Sequence, residues 1–510
     1  MTDQGVTRRA ALQLGAMGAV GAAMTSALGR AAALAPAPAP RRSMGPGKVL
    51  FVFLRGGWDG ANVVIPNGFS GDGPADPEYN TTRRPTLHIP FDAALPIEAG
   101  NGFCTMHPAL GAASNGGLVP ILQQDELVFL HAVGLWSRTG SHFEDQRTVE
   151  TGIPPGTAPA GVDSEEGWAT RLLGSGFEGV SVSKNLQQLF QTRDPARVLP
   201  HVERILRVET TPPSPFYTMA TQPALSMLDD SYRGVPPGPS APSGYGLAGH
   251  YQAAAQGTHV LDGFNRSTGL SLLSSEDVVR NLGTSYVPGG GAKYPFSPTT
   301  TGPDVLYPDP ASVGLPNTGS VRTLMRNLRD AHWLLSSTDV RVVGVEYGGW
   351  DTHSKQGALS GSMPDQLRTL AYGLRALHLD STASHSGVTV LCVSEFGRTA
   401  DENGDRGTDH GGGGLVVAMG QDVKLNTLGP VPSRVYGCDA ATWPGLTSAS
   451  NADLGLLGLP VQNGTFVSPR QHLFGVLAEL MTKVLGTPAP ALSQILPGYV
   501  PVVHAMPGYL

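Results

Sequence analysis

Five apolar runs, each about the length of one strand, stand out along the chain: VLFVFL (49–54), LVFLHAVG (127–134), VRVVGVE (340–346), GVTVLCVSEF (387–396) and GLVVAMG (414–420). They are rich in β-branched residues and near-continuous rather than alternating, the pattern of strands covered on both faces. Between them the apolar period changes to that of a helix. In PDQLRTLAYGLRALHLD, Leu367, Leu370, Ala371, Leu374 and Leu377 fall on one face, and VRTLMRNLRDAHWLL aligns Val321, Leu324, Met325, Leu328 and Leu335. The first of these joins two predicted strands as a βαβ crossover. QHLFGVLAELMTKVLG predicts a C-terminal amphipathic helix through Leu473, Val476, Leu477, Leu480 and Val484. The pattern predicts an α/β fold: a mostly parallel central sheet with helices on both faces. Residues 153–318 depart from it, with TPPSPF, RGVPPGPSAPSGYG and VPGGGAKYPFSPTTTGP breaking the periodicity, and read as a loop-rich insertion or cap.

Composition narrows the classes. Of 510 residues 40% are hydrophobic, ample for a core, whereas 15% are charged with a formal net charge of -7, which excludes the basic footprint of a nucleic-acid binder. At the N-terminus Thr7-Arg8-Arg9 precedes a weakly apolar Ala/Gly/Met stretch and then AAALAPAPAP. This resembles a twin-arginine export signal over residues 1–35, with a linker over 36–47 and cleavage expected after Ala31-Ala32-Ala33 or Ala33-Leu34-Ala35. It implies an exported protein, periplasmic or secreted, handled by the twin-arginine machinery and without a stable membrane span. Residues 48–510 then form the α/β domain. Cys104, Cys392 and Cys438 have no metal-binding spacing and can form at most one bridge; Cys392, inside an apolar run, reads as a small buried hydrophobe.

The strand ends carry the chemistry. In a parallel sheet the carboxyl ends of the strands share one edge, and ligands bind there. VLFVFL ends in RGGWDG with Asp59; VRVVGVE ends in YGGWDTH with Asp351 and His353; GVTVLCVS ends in EFGR with Glu395 and Arg398; LVFLHAVG ends in LWSRTGSHFED with Ser137, Thr139, Ser141 and His142; and RGTDHGGGG, before GLVVAMG, supplies Asp409 and His410. Mixed carboxylate and imidazole donors suit one or two divalent ions: zinc, manganese, magnesium or calcium. Each piece also has a plainer reading. Asp351-x-His353 fits a hydrogen-bonded turn, Glu395 with Arg398 a structural ion pair, Asp409-His410 a flexible loop, and Ser141-x-x-Glu144 a capping box. His107, before a helix start, reads as structural.

LRGGWDGANVVIP, SHFEDQRTVETG, GGWDTHSKQ and SEFGRTADENGDRGTDHGGGG resemble the exported bacterial family called domain of unknown function fifteen hundred and one, grouped with the alkaline phosphatase and sulfatase superfamily. The resemblance spans about residues 48–485. It implies an alkaline phosphatase-like fold with Asp59, Asp351, His353, Glu395, Asp409 and His410 as metal ligands. Ser141, or Thr139, would be the nucleophile, with Arg398 or Arg138 neutralising substrate oxygens. The Cys/Ser-x-Pro-x-Arg motif of sulfatases is absent, and a single Asp-His pair stands where phosphatases of the superfamily have a further histidine downstream. The expected function is a metal-dependent hydrolase of phosphate or sulfate esters acting on a small-molecule or polymer substrate. The alternative is an exported binding or cell-surface assembly protein that keeps the fold without turnover.

Overall fold

The computed structural model describes residues 47–66, 79–98, 104–173, 179–183, 187–191, 306–337, 340–384, 387–427, 432–438, 449–450, 465–501 and 504–510. The N-terminal segment expected to be a twin-arginine signal and most of the region read as loop-rich, 192–305, lie outside the described residues.

All five apolar runs are strands of one sheet. In chain order its members are β1 (Lys48–Arg55), β2 (Leu127–Gly134), β3 (Gly179–Ser181), β4 (Val342–Gly348), β5 (Val388–Val393), β6 (Gly414–Met419), β7 (Val435–Tyr436) and β8 (Gln471–His472). They are arranged β7-β2-β6-β5-β1-β4-β3, with β8 also pairing with β2. Every described pairing in this sheet is parallel except the two made by β6. That reversal has a consequence for the site: the residues leading into β6 lie at the edge where β1, β2, β4 and β5 end. A wholly parallel sheet would have put Asp409 and His410 at the opposite edge.

Both faces are covered. Along β1, Leu50, Val52 and Leu54 join one core with α3 (Gly319–Ser337) and α4 (Ser362–Ser384), while Val49, Phe51 and Phe53 join another with α2 (Trp168–Leu173) and α5 (Leu473–Lys483). A period of two on a strand buried on both sides explains why its sequence is apolar throughout. The predicted stripe of α4 is buried from Leu367 to Leu377, as are Val321, Leu324, Met325, Leu328 and Leu335 of α3. The loop-rich region is not wholly a separate cap, because it contributes β3, parallel to β4, as the sheet's edge. Three residues are too short a run to register as a strand in the apolar pattern. His107 is structural in the way expected: its Nδ1 accepts from Ala109 N at 3.0 Å and caps the turn Pro108–Leu110. Among the described residues no helix is long and apolar enough to cross a membrane.

A small antiparallel sheet of Val64–Pro66, Leu95–Pro96 and Cys104–Met106 packs beside the main one. Cys104 at its centre is disulfide-bonded to Cys438, just past β7 and 334 residues along the chain. Cys392 is free and fully buried in β5. A cross-link that closes so long a loop restricts the unfolded chain. Replacing Cys104 and Cys438 together by alanine is therefore expected to lower unfolding stability by about 2–4 kcal/mol, read as a shift of the denaturant midpoint. An unchanged midpoint would show that the bridge adds nothing to the packing around it.

Candidate metal centre

The two GGWD turns sit side by side because β1 and β4 are neighbours, with Arg55 in register with Gly348. Trp58 and Trp350 meet edge to face at 5.6 Å. Gly56, at φ +125, tolerates no side chain, since a Cβ there would stand 2.3 Å from Asp351 N. In the second turn it is Gly349, at φ +98, that makes the sharp bend, whereas Gly348 completes β4. Between the turns lies the Arg398 guanidinium. It donates to the carbonyls of Gly56, Gly57, Trp350 and Thr408, and to Asp351 Oδ1 at 2.6 Å.

Equivalent aspartates of the two turns have different surroundings. Asp59 is 1% exposed. Its carboxylate accepts from Arg84 at 2.6 and 3.3 Å and from Gln356 Nε2 at 2.8 Å. Gln356 in turn accepts from Thr352 and Thr408, so Asp59 anchors a closed polar network beneath the site. The Asp351 side chain is 44% exposed at the sheet edge. Burial pushes its carboxyl upward, but the hydrogen bond and charge of Arg398, with His353 and His142 close by, outweigh that and bring it down to about 2.

Three imidazoles surround Asp351. Nε2 of His353 and Nε2 of His410 lie 3.0 and 3.3 Å from its Oδ1 and 2.9 Å from each other. His142 Nε2 lies 3.2 Å from Oδ2, yet it is buried and closes no hydrogen bond. One donor atom each from His142, Asp351 and His410 falls within 4.8 Å of the others. Each ring is held from behind through Nδ1. His410 faces Gly140 O, His353 faces Asp409 Oδ1 and His142 faces Glu395 Oε1, all at 2.8 Å. A carbonyl or ionised carboxylate only accepts, so in the neutral rings Nδ1 carries the proton and Nε2 presents its lone pair to the centre. Two lone pairs facing at hydrogen-bond distance repel unless a proton or a cation sits with them. The donor set therefore fits a metal ion, with outer hydrogen bonds of the kind that orient metal-bound histidines.

The surroundings act in opposite directions on these rings. The Glu395 hydrogen bond raises His142 above the ordinary imidazole value. Burial lowers His410 to about 4, outweighing its bond to Gly140. Burial also pushes Glu395 upward, but hydrogen bonds from His142 and Gln146 prevail and hold it below the usual carboxylate range.

Of the residues expected from the sequence, the structure brings Asp351, His353 and His410 together. Glu395 and Asp409 stand behind the imidazoles, where they orient rather than face the centre, and Asp59 is committed to Arg84. The side chain of Arg398, which the resemblance implies would neutralise substrate oxygens, is 0% exposed and all three of its guanidinium nitrogens are bonded. Arg138 is buried over the Phe466 ring.

Ser141 is the N-cap residue of α1 (His142–Thr151), but its hydroxyl makes no capping bond. The capping box does not form, because Asp145 organises the turn instead, accepting from Thr139 N at 2.7 Å and Gly140 N at 2.8 Å. The Thr139 hydroxyl is engaged between Ser141 N and Asp145, while that of Ser141 has no hydrogen bond among the described residues. His142 stands at this strand end in SHFED, outside the ligand set expected from the sequence. Its place at the first helical residue, turned toward Asp351, is the signal that a single sequence leaves open.

Removing Arg84 strands a buried carboxylate. Arg84→Met is expected to cost about 3–5 kcal/mol in chemical denaturation, and a loss below about 1 kcal/mol would be that of an exposed pair.

No curated protein matches the chain. Over residues 331–428, the span that supplies Asp351, His353, Glu395, Arg398, Asp409 and His410, the chain is similar to the family described as protein of unknown function (DUF1501).

Proposed function

We propose that the chain is an exported metal-dependent hydrolase of phosphate or sulfate esters with an alkaline phosphatase-like fold. The observation that carries the reading is the convergence of three Nε2 atoms and the Asp351 carboxylate, each imidazole fixed through Nδ1. A nitrogen-rich set favours zinc, then manganese, over magnesium or calcium, which prefer all-oxygen sites. A divalent ion held there would polarise the ester oxygen and acidify the attacking hydroxyl. Ser141 supplies that hydroxyl in this reading, since it adjoins His142 and is unbonded where Thr139 is engaged. Its oxygen forms the new bond to phosphorus or sulfur as the ester bond breaks and the hydroxyl proton passes to the departing oxygen; water then attacks the Ser141 ester, breaking that bond, releasing phosphate or sulfate and returning a proton to the Ser141 oxygen. The twin-arginine-like N-terminus supports export, as does a disulfide of the kind that persists in oxidising compartments.

One observation favours the second reading, a non-catalytic exported binding or assembly protein. Arg398 is spent on backbone carbonyls and Asp351, which removes the cation assigned to substrate oxygens. Turnover separates the two readings.

Elemental analysis of the natively exported chain is expected to find stoichiometric zinc or manganese, lost in Asp351→Ala/His410→Ala. Ester turnover in Asp351→Asn is expected to fall by on the order of 100-fold or more with the fold retained. Full turnover in that variant would overturn the catalytic reading, and a parent free of metal would overturn the centre itself. The metal competes with protons for the imidazoles. Because the folded His142 is raised above 6.5, affinity should decline on acidification already at a pH where an ordinary histidine is neutral, measured as the metal binding constant against pH.

A further inference from the structure

His142, Gln146 and Glu150 recur every four residues and share one face of α1. Arg55, at the end of β1, runs beside that face. Its Nε donates to Glu346 at 2.6 Å, its Nη1 to Gln146 Oε1 at 2.8 Å and its Nη2 to Glu150 at 3.0 Å. A guanidinium only donates, so the Gln146 amide has one orientation: oxygen toward Arg55, NH2 toward Glu395. Gln146 Nε2 donates to Glu395 Oε1 at 2.8 Å, and the same oxygen accepts from Gly56 N at 2.9 Å and meets His142 Nδ1 at 2.8 Å. Three groups thus converge on one carboxylate oxygen. Two of them can only donate, which keeps Oε1 an acceptor and leaves the proton of the neutral His142 ring on Nδ1.

We propose that Gln146 is a positioning residue: with Arg55 it orients Glu395 so that His142 is held as the tautomer whose Nε2 lone pair faces Asp351 and His410. The role rests on the metal-centre reading but has a readout of its own. The direction of the amide is essential. A glutamate at 146 would keep the bond from Arg55 yet turn an acceptor toward Glu395, and a methionine would keep the length and lose both bonds.

The test uses the full chain with 15N-labelled histidine, the His142 signals being assigned with His142→Gln. The ring shifts are recorded without metal, above the imidazole titration. Zinc affinity is measured separately by competition with a chromophoric chelator. The parent is expected to show His142 protonated at Nδ1. Gln146→Met is expected to mix the tautomers and weaken zinc about 10–100-fold, and to weaken it no further in a His142→Ala background, because Gln146 acts through that ring. If Gln146→Met does not fold, Gln146→Glu carries the test with the same expected ring change. Parent-like ring shifts in the variant, or an additional loss of zinc in the His142→Ala background, would overturn the proposal. A parent whose ring tautomer depends on Gln146 but which takes up no zinc would uphold the positioning and overturn the metal centre.

Discussion

The guanidinium of Arg398 is the interaction on which the sheet edge depends. A buried cation is tolerated only when its donors are met, and here they are met by carbonyls of both GGWD turns, by Thr408 and by the Asp351 carboxylate. The turns after β1 and β4 and the loops around Arg398 and Thr408 are thereby held to one centre. Asp351 is left with one oxygen tied down and a strongly acidic character, so it remains charged among three imidazoles. The same engagement leaves the Arg398 side chain fully buried.

Repetition of GGWD then acquires two meanings. The glycines and tryptophans serve the same purpose in both copies: a tight exit from adjacent parallel strands, closed by an edge-to-face contact between the indoles. The aspartates diverge because of what lies beyond them. Arg84 and Gln356 enclose the first, whereas the second opens on the crowded histidine edge. Short-range sequence identity specifies the turn, and long-range contacts decide whether the acid is scaffold or site.

That division marks how far the sequence was legible. Five strands and three helices follow from apolar periodicity alone, since burial on two faces or one leaves a direct trace in residue choice. The edge on which the chemistry sits followed from the ends of four of those strands. The reversal of β6 did not, because a strand buried on both faces looks alike in either direction. Nor did the sorting of carboxylates. Asp59, Asp351, Glu395 and Asp409 all stand near strand ends, and only the partners Arg84, Arg398, His142 and His353, brought from elsewhere in the chain, separate anchors and ring-orienting groups from a residue that faces the centre. His142 belongs to a strand-end stretch rich in polar groups, yet its orientation depends on Glu395, 253 residues away.

The hydrogen bond from His410 to the carbonyl of Gly140 joins positions 270 residues apart. Contacts of such separation are slow to form, since the loop they close must be ordered before they return any free energy. A nascent chain that has not yet extended to β6 lacks His410, and with it one wall of the pocket around Asp351. The cluster therefore comes into being only when distant parts of the polypeptide have docked, and its completeness is a marker of a finished fold.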